Sequence, residues 1–271
     1  MTQAEKALRL RQLHHGPPIL RVCNVWDGAS ARIVERAGFP AVATGSAGVA
    51  FALGYPDTEA LPLEEMLAQV RRIARVVSVP VSADLMAGYE DIEKTTAGLV
   101  AAGGVGMNLE DYQGDRLVDI PAQVEKIRAV RRTGSRLGVP VVINARCDIY
   151  LNQIGEAATR FQRTVERMSA YRDAGADCLF VPGVRDEPTI QQLVDALQFP
   201  LNILAGPAAP PVERLQQLGV SRVSLGSGPM RATMGLIRAI AEQFRDSGTY
   251  TRMLDGAISY ADANNLLGTS L

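Results

Sequence analysis

Histidine is scarce in this sequence, and its scarcity excludes whole classes of chemistry. The 271 residues contain two histidines, His14 and His15, which stand together in a predicted leading helix. A histidine base and a histidine-rich zinc site are therefore not expected. The three cysteines, Cys23, Cys147 and Cys178, lack metal-ligand spacing, and their odd number argues against a disulfide framework. This cysteine usage fits a reducing cytoplasm, where we expect the protein to reside.

Long hydrophobic runs and a surplus of charge are also missing. The opening stretch, MTQAEKALRLRQLHHG, lacks the apolar segment of a secretory signal, and no other stretch approaches membrane-spanning length. A formal net charge of −1 gives no electrostatic reason to expect nucleic acid or a membrane surface as a partner. With 47% hydrophobic and 21% charged residues and no break in composition, we expect a single domain over residues 1–271.

One pattern recurs along the chain: an amphipathic helix, a small turn that often contains glycine, and a short apolar run. The apolar runs begin near residues 19, 41, 79, 105, 139, 177, 200 and 222. Short runs without alternation are typical of strands buried on both faces of a parallel sheet, and the helices between them provide the crossovers. Eight such units predict a (β/α)8 barrel of the TIM type. The alternative is a doubly wound open sheet.

The C-terminal part of the chain exceeds what the barrel needs. A helix over residues 231–245 precedes the tail GTYTRMLDGAISYADANNLLG, whose apolar stripes are too short for another barrel unit. We expect one or two short helices there, and exposure of their apolar stripes would create a larger patch than monomers usually tolerate. Residues from about 232 to 271 are therefore predicted to form a homo-oligomer interface. The alternative is that the tail covers the bottom of its own barrel.

Polar side chains end several of the predicted strands, where a barrel has its active site. Asp84 ends the third strand and Glu110 ends the fourth, so we predict that their carboxylates lie at equivalent heights and share a cation. Oxygen ligands without histidine or thiolate suit Mg²⁺ or Mn²⁺. The alternative is that both carboxylates cap the following turns or pair with Arg146, which ends the fifth strand.

Arg146 carries a planar guanidinium that suits a substrate carboxylate or phosphate. Its alternative use is an internal salt bridge with Asp148 or Glu110. The hydroxyl of Tyr89, in the loop after the third strand, is a candidate proton donor. Asn202 ends the seventh strand and also faces the predicted site.

Two glycine-containing turns follow predicted strands. The loop over residues 44–48 has backbone amides that can hold an anion, and residues 226–228 resemble a phosphate cup. Both stretches also fit ordinary tight βα turns. Residues expected to bind a small acid substrate are Thr44, Ser46, Ala47, Gly48, Asp84, Arg146 and Asn202.

Several stretches have the order and spacing of a known superfamily. They are NVWDGASARIVERAGF, ATGSAGVAFALGYPD, VSADLMAGYED, GMNLED, INARCD and the strand-seven asparagine. Over nearly its whole length the chain resembles the isocitrate lyase/phosphoenolpyruvate mutase superfamily. The resemblance implies a Mg²⁺-dependent enzyme that makes or breaks a C–C or P–C bond next to an α-oxo acid, through a pyruvate-like enolate held on the metal. It also implies exchange of a C-terminal helix between subunits and a dimer of dimers.

The resemblance assigns roles to individual residues. Asp84 and Glu110 match the two metal-site acids, and Arg146 matches the arginine that holds the substrate carboxylate. Residues 46–48 match the loop that holds the oxo acid. Asp57 matches an aspartate beside the metal that relays protons.

The sequence also departs from the superfamily pattern. Where many members have Asp-x-Asp before Gly-Tyr-Gly, the first position here is Ser82, two residues are inserted, and Glu90 replaces the last glycine. The Lys-Cys-Gly-His loop of the isocitrate and methylisocitrate lyases is replaced by YQGDRLV at 112–118, and their later glutamate falls near Pro182. No mutase-type gating loop is present. These differences argue against a tricarboxylate lyase and against a mutase.

We therefore expect a Mg²⁺-dependent lyase that cleaves a C–C bond next to an α-oxo or 2-hydroxy carboxylate, on a small 2-oxo or dicarboxylic acid. The alternatives are P–C bond hydrolysis or mutase chemistry, and a non-catalytic protein that binds a 2-oxo acid. A phosphate-sugar barrel that uses residues 226–228 is a further reading. A general acid among residues 112–118 would decide between enzyme and binding protein, and the candidates there are Asp115 and Arg116.

Overall fold

The computed structural model describes residues 1–268, which form a parallel barrel surrounded by helices. Nine strands follow the order β1-β11-β10-β9-β8-β5-β4-β3-β2, and all their pairings are parallel. The two end strands, β1 and β2, are separated only by Cys23, so the sheet curls into a nearly closed barrel. Its strands are β1 (Leu20–Val22), β2 (Asn24–Val25), β3 (Val42–Thr44), β4 (Val81–Asp84), β5 (Gly106–Glu110), β8 (Val142–Arg146), β9 (Cys178–Phe180), β10 (Leu201–Leu204) and β11 (Arg222–Ser224).

The observed strands confirm the predicted barrel and exclude the open sheet. Each predicted apolar run contains a strand, and the first run is split into β1 and β2. A small antiparallel hairpin, β6 (Tyr112–Gln113) and β7 (Arg116–Leu117), was not predicted because two-residue strands leave no readable alternation. It occupies the segment in which the superfamily lyases carry their reactive loop.

The helices form the outer layer, and several begin at side-chain caps. Asp27 accepts a hydrogen bond from the Ser30 backbone N–H, and Asp91 accepts from the N–H groups of Glu93 and Lys94. The helices are α1 (Gln3–Gln12), α2 (Gly28–Arg36), α3 (Ser46–Leu53), α4 (Leu63–Val76), α5 (Ile92–Ala101), α6 (Ile120–Arg136), α7 (Ala157–Asp173), α8 (Glu187–Leu197), α9 (Val212–Gln217), α10 (Gly228–Ser247), α11 (Thr251–Leu254) and α12 (Tyr260–Gly268). Among the helices within residues 1–268, none combines the length and the apolar character that crossing a membrane requires.

The C-terminal helices differ from the rest because they are poorly covered. No residue of α10 is buried, and Ile237 and Phe244 are each 62% exposed. The tail forms the two short helices α11 and α12, as predicted, and α12 contacts α2, where Arg32 Nε donates to the Leu266 carbonyl at 3.0 Å. The predicted domain and the predicted interface segment both extend to residue 271, so their last three residues lie outside the described part.

A buried basic pair fills one part of the barrel. Arg222 on β11 is 1% exposed, and its Nη1 donates to Nε2 of His14 at 3.4 Å. His14 Nδ1 donates to the Leu10 carbonyl at 2.8 Å, so the ring is neutral, with its proton on Nδ1. Burial, reinforced by the Arg222 charge, lowers the pKa of His14 from 6.5 to about 3.

This pKa shift predicts a loss of stability in mild acid. Above the unfolded-state pKa of 6.5 the histidine is neutral in both states and contributes no pH dependence. As the pH falls toward 3, the unfolded chain binds a proton that the folded chain excludes, which costs about 2 kcal/mol of unfolding free energy between pH 7 and pH 5. Urea unfolding of the parent and of His14→Gln measures this, and the variant should lose that part of the pH slope. His15→Gln, at the exposed neighbouring position, is the control; equal slopes in both variants would contradict the assignment.

Candidate functional site

Two adjoining cavities open at the carboxyl ends of the barrel strands. The inner cavity, of 190 Å³, is lined by Asn24, Gly45, Ser46, Ala47, Asp57, Asp84, Asn108, Arg146, Leu151, Phe180, Pro182, Leu204, Ser224, Gly226 and Ser227. The outer cavity, of 610 Å³, is lined by Ser46, Asp57, Thr58, Glu59, Ala60, Met86, Glu110, Tyr112, Gln113, Gly114, Asp115, Arg146, Asp148, Leu151 and Asn152. Both share Ser46, Asp57, Arg146 and Leu151, so they form one continuous site.

A further cavity of 700 Å³ lies next to α1, away from the strand ends. It is lined mainly by residues 12–21 and 37–40, and its basic side chains, Arg9, Arg21 and His15, are exposed. No carboxylate lines it. The chemistry-bearing side chains therefore converge at the carboxyl end of the barrel, where the fold predicts an active site.

Arg146 connects the acids of the site. Its Nη1 lies 2.8 Å from Glu110 Oε2, and its Nε and Nη2 donate to the two carboxylate oxygens of Asp148 at 2.6 and 2.7 Å. The guanidinium also lies over the Phe180 ring, 5.9 Å from its centroid. Burial opposes the charge, but Glu110 and Asp148 outweigh it and raise the pKa of Arg146. The alternative expectation for Arg146, an internal salt bridge, is thus met with both Glu110 and Asp148. A substrate carboxylate has to bind to the N–H groups of Arg146 that these two acids leave open.

Asp84 is a buried carboxylate that forms no direct ion pair within residues 1–268, although the charges of Arg146 and Arg222 act on it from farther away. Its side chain is held only by long contacts, 3.3 Å from the Ser46 amide to Oδ2 and 3.4 Å from the Met86 amide to Oδ1. Thr44 supports it from below, because Thr44 Oγ1 accepts a hydrogen bond from the Asp84 backbone N–H at 2.9 Å. An ionised carboxylate in this setting is costly unless a cation compensates it.

The predicted equal heights of Asp84 and Glu110 are wrong. In the β4–β5 register Asp84 is opposite Asn108, and Glu110 lies two residues farther along β5, opposite Arg146. Because side chains alternate along a strand, Asp84, Asn108 and Glu110 still point to the same side of the sheet. Asp84 and Glu110 therefore face the same site, but Glu110 lies two residues farther toward the carboxyl end of its strand.

The protonation of the acids is set mainly by burial. Burial raises the pKa of Glu110 to about 8; Arg146 opposes the rise, and the neighbouring acids Asp148, Asp84 and Asp57 add to it. Burial also raises the pKa of Asp57, while a hydrogen bond with Ser46 lowers it. Shifts of this direction are typical of groups that exchange protons near neutral pH.

The donor set fits a magnesium-type ion held by few protein ligands. The acids facing the cavities supply only hard oxygen donors, and Asp84 is buried with no ion pair to satisfy it in the described part of the chain. Within residues 1–268 no group of three or more histidine, cysteine or acidic side chains is arranged to hold a metal ion together. Mg²⁺ commonly binds through one or two carboxylates and keeps several waters, so Asp84 with water is a consistent arrangement.

Several predicted site residues support the cavities without lining them. Gly48 lies in α3, where a Cβ would come within 3.4 Å of Trp26, and Thr44 contacts Asp84 as described. Asn202 is fully buried, and its Oδ1 accepts from the Ser224 hydroxyl at 3.4 Å. Ser46 and Ala47 do line the inner cavity.

Tyr89 does not reach either cavity. Its side chain is 9% exposed and belongs to the hydrophobic core, and its hydroxyl has no hydrogen-bond partner among the described residues. Burial raises the pKa of Tyr89, which makes it a poor proton donor. The proton-transfer role predicted for Tyr89 therefore has no geometric support in this arrangement.

The side chain of Asn24 binds the turn after β11, a role that the sequence did not predict. Asn24 Oδ1 accepts hydrogen bonds from the amides of Leu225 and Gly226 at 3.0 and 2.8 Å, and Asn24 Nδ2 donates to the Thr44 carbonyl at 2.9 Å. These bonds join β2, which contains Asn24, to β3 and to the turn after β11. In the proposed phosphate cup, residues 226–228, the Gly226 amide is thereby satisfied, and the Gly228 amide donates to the Leu225 carbonyl at 3.2 Å, which weakens the phosphate-sugar reading.

Asp111 is a second residue that the sequence did not identify. It is fully buried; its Oδ1 accepts from the Asp148 amide at 3.0 Å, and its Oδ2 accepts from Arg167 Nε at 2.7 Å and from the Tyr171 hydroxyl at 2.8 Å. Asp111 also donates its own N–H to the Arg146 carbonyl at 3.1 Å. It fixes the backbone that carries both Arg146 and Asp148. The position of Asp111 directly after Glu110, at the end of a predicted strand, was the feature of the sequence that could have identified it.

Comparisons with known proteins agree with this geometry. A family model described as phosphoenolpyruvate phosphomutase matches residues 10–245. An oxaloacetate decarboxylase of Rhodopseudomonas palustris (strain BisB5) is 29% identical over 263 residues, 92% of this chain and 88% of that protein. The 2-methylisocitrate lyase of Escherichia coli (strain K12) is 28% identical over 269 residues, covering 92% and 87%. A solved structure of oxaloacetate acetylhydrolase with the product oxalate has a TM-score of 0.85 at 26% identity, covering 97% of this chain and 94% of that one.

The buried contacts of Asp111 predict a large effect of its neutralisation. Asp111→Asn keeps the shape but leaves the Arg167 guanidinium, 8% exposed, without its partner charge. Unfolding free energy, measured in urea, should fall by about 3 kcal/mol or more. Asp173→Asn removes an exposed pair with Arg172 and should change stability by less than about 1 kcal/mol. Comparable losses in the two variants would show that the buried pair is not the stabilising element.

Proposed function

This chain belongs to the phosphoenolpyruvate phosphomutase family, and we propose on that basis that it is a Mg²⁺-dependent lyase. The proposed reaction cleaves a C–C bond next to the α-oxo or 2-hydroxy carboxylate unit of a small acid and keeps that unit intact. The observation that carries the proposal is the convergence at one cavity of Arg146 and the buried Asp84, whose carboxylate forms no direct ion pair within residues 1–268. Asp84 can bind a cation and Arg146 can bind an anion, and a 2-oxo acid uses both. Its carboxylate binds to the arginine, and the negative charge that develops on its neighbouring oxygen is stabilised by the cation.

Each residue has a proposed task. Arg146 binds the substrate carboxylate through the N–H groups that Glu110 and Asp148 leave open, and the amides of residues 46–47 line the same space. Asp84 would hold Mg²⁺, or Mn²⁺, directly, and Glu110 would do so through water. When bound, the ion supplies positive charge where negative charge develops as the bond breaks.

Asp57 is the proposed proton carrier. With a 2-oxo acid, the bond that breaks joins the carbon next to the oxo group to a fragment that leaves as CO2 or as a carbonyl compound. The electron pair stays on the carbon next to the oxo group, and that carbon takes a proton to give a pyruvate-like product. With a 2-hydroxy acid, the hydroxyl loses its proton as the oxo group forms, and the leaving fragment takes the electron pair and a proton. Asp57 lines both cavities, and partial burial raises its pKa above the ordinary value, which favours the acid form that a proton donor needs. Among residues 1–268 no histidine or cysteine lines either cavity, so a carboxyl group is the natural choice.

Two variants test the function with oxalate, a planar analogue of the enolate form of pyruvate. Calorimetry should show oxalate binding that requires Mg²⁺, and Asp84→Ala should abolish the requirement and the tight binding. Arg146→Lys keeps the charge but loses the fork, and should weaken binding by about 2–4 kcal/mol. Asp119→Ala, an exposed acid outside both cavities, is the control.

A panel of 2-oxo and 2-hydroxy acids with Mg²⁺ then tests turnover. C–C cleavage products support the lyase. Release of phosphate from phosphonate substrates, or their rearrangement to phosphate esters, would favour P–C chemistry instead. Tight binding without any turnover would identify a 2-oxo-acid-binding protein.

We further propose that the protein is a homo-oligomer, with a dimer of dimers as the expected assembly. The support is the apolar face of the C-terminal helices, where a groove of 480 Å³ is lined by Ile237, Ile240, Ala241, Phe244, Tyr250 and Met253. Nearly all of the accessible lining is apolar, and patches of this kind mark interfaces. A second copy of the chain is the proposed occupant because a two-fold contact pairs the same patch with itself.

Removal of residues 249–271 should lower the oligomeric state or the solubility, because it deletes one wall of the apolar groove. Phe244→Asp should act in the same way by placing a charge in the groove, whereas Glu242→Gln on the same helix should not. Sedimentation velocity at micromolar concentration measures all of them. A full-length chain that sediments as a monomer would refute the assembly.

A further inference from the structure

The two cavities differ sharply in charge. Among the residues that line the outer cavity are five acids: Asp57, Glu59, Glu110, Asp115 and Asp148. In the described part of the chain, Arg146 is the one basic residue that lines either cavity. Asp84, the expected metal ligand, lines the inner cavity and not the outer one. Arg146 lines both cavities, so in the outer cavity this single cation faces five acids, whereas in the inner cavity it faces two, Asp57 and Asp84.

The charge of Arg146 is already shared by acids. Its closest contacts are Glu110 at 2.8 Å and Asp148 at 2.6 Å, so one guanidinium balances two carboxylates before any substrate enters. It can hold the carboxylate of an oxo acid at the inner end. It cannot at the same time compensate a second carboxylate in the outer cavity.

One lysine, Lys126, lies beside the outer cavity without lining it. Its Nζ donates to the Ala87 carbonyl at 2.9 Å and to Gln113 Oε1 at 3.1 Å, and its charge acts on Glu59 and Glu110 from that position. Glu59 is likewise occupied, since its carboxylate accepts from the Tyr89 amide at 3.0 Å and from Gln113 Nε2 at 2.8 Å. These bonds hold the loop before α4 against the hairpin and leave no free cation between them.

Asp115 is the acid that remains available to a ligand. It lies at the tip of the β6–β7 hairpin with a left-handed φ of 60°, after Gly114 at 58°. The residue is exposed, and its carboxylate makes no hydrogen bond or ion pair with the rest of residues 1–268. Thr58 and Asn152 line the same cavity as neutral polar groups. Such a wall accepts hydrogen bonds and repels anions.

We infer that the substrate is a 2-oxo or 2-hydroxy acid with a single carboxylate, bound at Arg146 in the inner cavity, and with a distal hydrogen-bond donor, such as a hydroxyl, amide or ammonium group, in the outer cavity. The inference rests on the proposed function, because that function places the oxo-acid end. It excludes a second carboxylate or a phosphonate at the distal end. The outer cavity, at 610 Å³, is large enough for such a group.

A matched series of stable oxamates tests this choice. Oxamate resembles the oxo-acid unit and is not cleaved, and its nitrogen accepts a tail that extends away from it. We compare N-carboxymethyl, N-carbamoylmethyl and N-(2-aminoethyl) oxamate by calorimetry on the full chain with Mg²⁺, beside oxalate. The carbamoylmethyl and aminoethyl compounds should bind about tenfold more tightly than the carboxymethyl compound, because only the last places a negative charge among acids.

Asp115→Asn identifies the residue responsible. Asparagine has the same size and tolerates a left-handed backbone, so the hairpin is retained. The affinity ratio between the carbamoylmethyl and carboxymethyl compounds should fall severalfold in this variant. It should stay unchanged in Asp119→Asn, an exposed aspartate that lines neither cavity.

Each outcome is decisive. A carboxymethyl compound that binds as tightly as the carbamoylmethyl compound overturns the inference and leaves the proposed function standing. An unchanged ratio in Asp115→Asn also overturns it, because the acidic wall would then not be the cause. If oxalate itself shows no Mg²⁺-dependent binding, the proposed function fails and the inference fails with it.

Discussion

A single guanidinium, that of Arg146, makes the arrangement at the mouth of this barrel possible. It stands between Glu110 on the neighbouring strand and Asp148 two residues farther along the chain, at 2.8 and 2.6 Å. Without it, acids from three successive strands would face one another across a buried space, and their mutual repulsion would force protonation or separation. The rest of the site is built around keeping this side chain in place. Asp111 contributes to this, since it binds the Arg146 carbonyl and the Asp148 amide, on either side of Cys147, and is itself held by Arg167 and Tyr171.

The barrel contains a second buried guanidinium, that of Arg222, whose surroundings differ from those of Arg146. Arg222 is bonded to a neutral histidine and forms no ion pair with a carboxylate in the described part of the chain. Burial lowers the pKa of Arg222, whereas the surrounding acids raise that of Arg146. The interior is therefore a polar column, with asparagines on neighbouring strands, such as Asn108 and Asn144, bonded to each other. Apolar packing is concentrated between the strands and the helices, where residues such as Ile143 and Leu179 are fully buried.

The short β6–β7 hairpin after β5 forms part of the wall of the outer cavity. It takes the place in which the superfamily lyases carry a cysteine loop, and it brings glutamine, glycine and aspartate to the outer cavity instead. It is fixed at its base by Asp111, whose carbonyl accepts from the Val118 amide, and at its side by Glu59 through Gln113. The hairpin thus presents a carboxylate at its tip, Asp115, that forms no ion pair within residues 1–268.

The sequence by itself determined the strand order, the barrel and the end of the barrel that carries the polar residues. Strands buried on both faces need unbroken apolar runs, and a polar residue directly after such a run is easily recognised. Only the tertiary structure decided how those polar residues are used. It paired Arg146 with both acids, offset Glu110 from Asp84 by two residues, buried the Tyr89 hydroxyl in the core, and used Asn24 to occupy the turn after β11. These outcomes depend on strand register and on competition between partners from different strands, and spacing along one chain records neither of them.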